Sequence, residues 1–207
     1  MKVLVLAPHT DDVEIGCGGT VARLIGEGNA VFYAAFSICE ESVPCGFPKN
    51  TLEIEVKASA KEMGILEKNL FIFKYPVRRF NEHRQDILED MVLLNKKIKP
   101  DIVIMPGEND VHQDHFVIAQ EGKRAFKKSS MLAYEMVWNN FESETTFFVK
   151  LDKGHIDKKI RALGCYESQK AIRNYVNEEF VRSLARVRGV QISTEYAEAF
   201  KVIRWIM

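Results

Sequence analysis

Apolar residues run almost unbroken from position 2 to position 7, through Val3-Leu4-Val5-Leu6-Ala7. That is the pattern of a strand buried on both faces. The stretch Gly16-Cys17-Gly18-Gly19 then predicts a loop feeding a helix from near Thr20 to Gly28, and Ala30 to Phe36 predicts a second strand. The connection from Ser37 to Lys49 holds Pro44, Gly46 and Pro48, and is long enough to suggest function. Asn50 with Glu53 resembles a capping pair, opening a helix that Gly64 stops. Leu70 to Phe73 reads as a third strand and Arg84 to Ile98 as a third helix. Ile102 to Met105 reads as a fourth strand, entered through Lys99-Pro100-Asp101 and closed by Pro106-Gly107, with the next helix beginning beside His115.

After about residue 130 the alternation loosens. Met131 to Trp138, Thr145 to Val149 and Ala199 to Trp205 predict strands, and His155 to Leu163 and Gln169 to Val187 predict helices. Strand and helix alternating with short connections predict an α/β fold: a Rossmann-like, doubly wound, mostly parallel sheet with helices on both faces. With 207 residues and no repeat or linker, residues 1–207 are expected to form a single domain. The first four strands in the order 3-2-1-4 would make strands 1 and 4 neighbours, with a ligand crevice at their carboxyl ends.

Two polar clusters sit at those strand ends: Pro8-His9-Thr10-Asp11-Asp12 and His112-Gln113-Asp114-His115. Topology brings them into one crevice, and their residue types are those of a catalytic zinc site that keeps one position open for water. His9 and Asp12 can supply two ligands and one histidine of the second cluster the third. Asp11, between the two ligands, would face the open position and take a proton from the metal-bound water. The other histidine, with His112 the candidate, would polarise the carbonyl or protonate the leaving group, and Asp114 would orient an imidazole. His83 and His155 lie in polar surroundings and read as surface residues.

Bulk properties exclude other classes. Twenty-nine basic and 29 acidic residues cancel, so no global field draws the chain to nucleic acid. The basic group Lys123, Arg124, Lys127 and Lys128 reads as a solvated helix face. No apolar run approaches the roughly 18 residues of a membrane span, and the chain enters a strand at once, so a cytoplasmic location is expected. Cys17, Cys39, Cys45 and Cys165 form no CxxC pair and are expected as reduced thiols.

Residues Pro8 to Thr20 resemble the first motif of the PIG-L/LmbE-like zinc deacetylases, which runs Ala/Pro-His-Pro-Asp-Asp-Glu before a glycine-rich turn. His112 to His115 resembles the family's His-x-Asp-His, and Lys99 to Val103 resembles the strand entry before it. Tyr196-Ala197-Glu198-Ala199-Phe200 is similar to a C-terminal Tyr-Ala-Glu-x-Phe stretch. The resemblance implies hydrolysis of the N-acetyl group of a small amino sugar or its conjugate, with Zn2+, or another divalent metal such as Fe2+, on His9, Asp12 and His115. It implies Asp11 as general base, His112 as oxyanion donor or acid with Asp114 as its supporting carboxylate, Tyr196 as an oxyanion partner, and by analogy a homo-oligomer. Thr10 stands where the family has proline. Lys49-Asn50-Thr51-Leu52 offers no arginine where members often contact substrate, so either Lys49 takes that part or the substrate differs. The loop with Glu40 and Glu41 is expected to line the pocket.

Three rival readings compete. A nucleotide-binding Rossmann protein would use the glycines, but here they start well past the strand and the second strand does not end on an acidic residue. A non-catalytic metal- or sugar-binding protein would have no use for Asp11. The same metal apparatus on a non-sugar or non-acetyl amide is the third.

Overall fold

The computed structural model describes every residue but 142, 143 and 171. Strands β1 (Lys2–Ala7), β2 (Ala30–Ala35), β3 (Leu70–Ile72), β4 (Ile102–Pro106), β5 (Ser130–Tyr134), β6 (Phe147–Leu151) and β7 (Tyr196–Arg204) form one sheet in the order β3-β2-β1-β4-β5-β7-β6. The first five run parallel, and β7 pairs antiparallel with both β5 and β6. Val3, Val5 and Ala7 of β1 enter one core and Leu4 and Leu6 the other, as the unbroken apolar run predicts. The first core is closed by α1 (Asp12–Gly26), α2 (Thr51–Met63), α5 (Lys153–Gly164) and α7 (Glu178–Gln191). The second is closed by α3 (Arg84–Ile98) and α4 (Gln113–Ala125). Register pairs Val3 with Ile102 and Val5 with Ile104, so Ala7 and Pro106 end side by side at the switch between β1 and β4.

Three predicted elements differ. The first helix starts at Asp12 rather than near Thr20, and the glycines lie inside it around a break at Cys17 (φ −150°, ψ 21°). Their work is close approach: a Cβ on Gly16 would lie 2.5 Å from Tyr134 Cδ2, and one on Gly19 2.6 Å from Leu151 Cδ1. The helix predicted over 169–187 is instead α6 (Glu167–Lys170) and α7, with a non-helical stretch over 172–177; its residue 171 lies outside the described residues. Asn177 stops helix propagation there by capping α7, its side chain accepting from the Phe180 amide. Asn50 makes no capping bond; Thr51 Oγ1 donates to Pro48 O at 2.6 Å, and Glu53 pairs with Lys57 and Lys74.

Among the described residues no helix is long and apolar enough to cross a membrane. All four cysteines are free, Cys17 and Cys39 buried. Lys123 pairs with Glu108 and Arg124 with Glu121. His155 closes a capping box with Asp152, and His83 precedes α3 half-buried.

Candidate metal centre

The turn after β1 and the loop after β4 meet as the topology requires. His9 and Asp12 come from the first, and His115 from the first turn of α4. Asp12 Oδ2 lies 3.3 Å from His9 Nδ1 and 3.3 Å from His115 Nε2. The two nitrogens are themselves 3.3 Å apart. Tetrahedral coordination at about 2.0–2.1 Å requires donors about 3.3–3.4 Å from one another, so these three atoms fit one face of such a site. His112 lies close by, its ring centroid 4.8 Å from that of His9 and 5.0 Å from that of His115.

The outward nitrogens are equally determined. His9 Nε2 is 3.1 Å from Asp114 Oδ2, and His115 Nδ1 is 2.7 Å from Asp110 Oδ2. Each carboxylate draws the ring proton outward and leaves the inward nitrogen its lone pair. Asp114 therefore supports His9, not His112, whose Nδ1 instead accepts from the Asp114 backbone N–H at 3.2 Å. Asp110 escaped the sequence reading. Its one signal is arithmetic: two ligating imidazoles need two acceptors, and only one carboxylate stood inside the second cluster. Asp110 Oδ1 also accepts from the His112 amide at 2.9 Å, which fixes the turn into α4.

The charges follow from this packing. Burial pushes the His9 imidazole down, but Asp12 and the bond to Asp114 outweigh it and raise it to about 9. Burial likewise opposes a positive His115, yet Asp12 and Asp110 lift it to about 10. Asp12 is pressed upward by burial and pulled far below the usual carboxylate range by His115 and His9. Burial, with His9 and His115 adding to it, pushes His112 down to about 4. Without a metal, the carboxylates around His9 and His115 favour protons on these rings, and a cation must displace them from the inward nitrogens. Loading at pH 7 is expected to release protons, with the release shrinking as pH rises. Titration calorimetry in buffers of different ionisation enthalpy checks this, and release near zero at pH 7 would contradict it.

Asp11 holds the N-cap position of α1 in a helical conformation, and its side chain makes no capping bond. Burial and then Asp12 push its carboxyl up to about 6. The turn is braced from beneath: the Tyr33 and Tyr166 hydroxyls both donate to the Thr10 carbonyl and reach the buried Glu14 carboxylate. Ser59 Oγ donates to that carboxylate at 2.6 Å. Nothing in the sequence pointed to this network, which joins α1, β2 and α2 to the turn after β1 and the turn after α5.

A cavity of about 510 Å³ opens over the cluster. His9, Asp11, Asp12, His112 and His115 line it, with Cys39 and Ser42 from the loop after β2; Glu40, Glu41 and Lys49 do not. Tyr196 is absent from the lining too. It opens β7 opposite Leu151 and packs against the first core, and the tyrosine at the cavity is Tyr175, stacked on Trp138 at 3.9 Å between centroids. The C-terminal motif contributes Glu198 instead. Its carboxylate accepts from the Gly19 and Thr20 amides at 3.0 and 2.7 Å and pairs with Lys159 at 2.7 Å. Lys159 Nζ also donates to Ile15 O at 2.7 Å. The pair thereby holds both sides of the break in α1.

Comparison with known proteins agrees with this architecture. Diacetylchitobiose deacetylase of Thermococcus kodakarensis is 25% identical over an alignment covering 98% of this chain and 83% of that protein. The conserved protein TT1542 of Thermus thermophilus superposes with a TM-score of 0.82 at 23% identity, over 99% of this chain and 95% of that one. GalB, the 4-carboxy-2-hydroxymuconate hydratase of Pseudomonas putida, superposes with a TM-score of 0.78 at 19% identity, over 100% and 97% of the two chains. The family model described as PIG-L, GlcNAc-PI de-N-acetylase, matches residues 4–126, the segment that carries β1 to β4 and both clusters, and the chain belongs to that family.

Proposed function

We propose that this chain is a zinc-dependent amidohydrolase that removes the N-acetyl group from an amino sugar or its conjugate. The observation that carries the reading is the 3.3 Å triangle of His9 Nδ1, Asp12 Oδ2 and His115 Nε2, with the uncapped Asp11 carboxylate in the same cavity. Two nitrogens and one carboxylate oxygen suit zinc, and Fe2+ is the alternative the donor set also accepts. A divalent cation held there supplies Lewis acidity, making the amide carbonyl more electrophilic and water more acidic.

The chain's own residues do the rest. Asp11 takes the proton of the attacking water and returns it to the departing amine nitrogen. His112 is neutral, and because its Nδ1 accepts the Asp114 amide, its Nε2 carries the hydrogen. It is thus a donor to the oxygen that gains charge as the carbonyl is attacked. Asp114 and Asp110 hold the ligand imidazoles and touch no substrate. Residues 1–207 act as one domain in this reading, and the four unpaired thiols fit a cytoplasmic setting.

Acetate release from N-acetylated amino sugars, measured on chelator-stripped and zinc-reloaded protein, tests the proposal. Turnover lost on stripping and regained with zinc is expected. Turnover indifferent to the chelator would sink the metal reading. Bound zinc without acetate from any sugar would sink the deacetylase reading and bring forward another amide, or the lyase chemistry that GalB's name shows this fold can carry.

A further inference from the structure

Outside the metal cluster, the charged residues that line the cavity are of one sign. They are Arg78 and Arg173, and among the described residues no further acidic residue joins Asp11 and Asp12 in the lining. Asp110 and Asp114 are buried behind the ligand imidazoles and absent from the lining, so the two guanidinium groups are the charges outside the cluster that face a substrate there.

Each arginine is placed in a way that hydrophobic packing does not explain. Arg78 sits at φ 67°, a left-handed conformation that glycine adopts without strain and other residues rarely take. The strain is held by the metal centre itself: the Arg78 amide donates to Asp114 Oδ2 at 2.6 Å and the Phe80 amide to Asp114 Oδ1 at 3.3 Å. Asp114 is the acceptor for His9, so this guanidinium hangs from backbone anchored to a metal ligand's own partner. Its ion contact, Glu41 at 3.9 Å, is solvent-exposed on both sides and leaves the charge available. Arg173 lies in the stretch that interrupts the expected helix between α6 and α7, its amide donating to Gln169 O at 2.9 Å. It makes no ion pair among the described residues, and its charge is felt at Asp11.

We propose that the substrate carries an anionic group, a carboxylate or a phosphate, away from its N-acyl end, and that Arg78 and Arg173 bind it. Planar guanidinium groups match both anions with paired hydrogen bonds. The inference rests on the amidohydrolase reading for the position of the acyl group, while the anion site itself stands on the cavity lining.

The test uses the zinc-loaded full chain. Acetate release is compared for N-acetylglucosamine, its 1- and 6-phosphates as the phosphate arm, and N-acetylmuramic acid as the carboxylate arm. Binding of the same sugars is measured by calorimetry on the Asp11→Asn protein. One anionic arm is expected to exceed the neutral sugar by roughly tenfold or more in kcat/KM, with the advantage shrinking as salt rises. Arg78→Gln and Arg173→Gln should each cut the anionic-over-neutral ratio by roughly tenfold, and Arg173→Lys should restore part of it. Equal turnover of neutral and anionic sugars, with a ratio unmoved by either variant, overturns the anion site and leaves the deacetylase standing. No acetate from any sugar, with arginine-dependent binding of an anionic one, overturns the deacetylase and leaves the anion site. No preference in turnover or binding overturns the inference outright.

Discussion

Replacing Asp11 with asparagine is expected to lower kcat/KM by about 10²–10⁴-fold while one cation per chain stays bound. The substitution keeps shape and removes the proton acceptor. Asp11 gives nothing else away, because it caps no helix amide despite its N-cap position. The metal should be held at least as well, since the change also removes a like charge that pushes against Asp12. The pH profile supplies a second readout. A general base must be ionised, so activity rises with pH through its pKa. Burial and Asp12 place that carboxyl at about 6 before any cation is bound, and a bound cation favours the ionised form. The acid limb should therefore fall at or below pH 6 in the wild type and vanish from the residual activity of the variant. Metal content by elemental analysis, read beside kcat/KM, checks the claim. Near-normal turnover with bound metal would remove Asp11 from the chemistry, whereas lost metal would make it a ligand.

The crevice was legible because its determinants are local. An unbroken apolar strand, a turn carrying His9 to Asp12, and a second strand ending before His112 to His115 define it once right-handed winding sets the order 3-2-1-4. Residue type points to His9, Asp12 and one histidine of the second cluster as candidate ligands, and the family resemblance singles out His115. What stayed hidden depends on distance across space. Asp110 matters only because His115 turns its Nδ1 toward it. The family resemblance makes Asp114 a partner for His112, but the helical turn carries it to His9. The residues from Gln169 to Val187 have helical composition throughout; the break over 172–177 is set by Asn177 capping α7 and puts Arg173 and Tyr175 at the cavity. The glycines read as a loop because glycine disfavours helix interiors, and that preference loses to the contacts that Gly16 and Gly19 make possible. Tyr196 is a candidate by family resemblance alone; it lies outside the cavity lining, and the residue of that motif with structural bonds to α1 is Glu198, two positions on.

That carboxylate carries the largest stability effect we expect in the molecule. Glu198→Ala should destabilise the fold by about 3–5 kcal/mol, a fall in Tm of roughly 6–20 °C for a chain this size. Glu198 and Lys159 are 6% and 5% exposed, so alanine leaves an ammonium buried without its counter-ion. It also orphans the Gly19 and Thr20 amides, which the break at Cys17 deprives of helical acceptors and which Glu198 now satisfies. The cavity beside Glu198 and Lys159, about 20 Å³, has room for about one water, too little to replace a carboxylate that serves two amides and an ammonium. Lys159→Met alone should cost a similar amount by leaving the carboxylate unpaired and the Ile15 carbonyl without its donor. The double variant Lys159→Met with Glu198→Gln should recover much of the loss, since no buried charge remains and the glutamine oxygen can still accept from the helix amides. Thermal unfolding of the wild type, Lys159→Met, Glu198→Gln and their double variant closes a mutant cycle that measures this. Strictly additive losses would mean that the two side chains act independently. Strong coupling would identify the pair as the brace of α1, and metal affinity should fall in the single variants, because the helix it braces begins at Asp12.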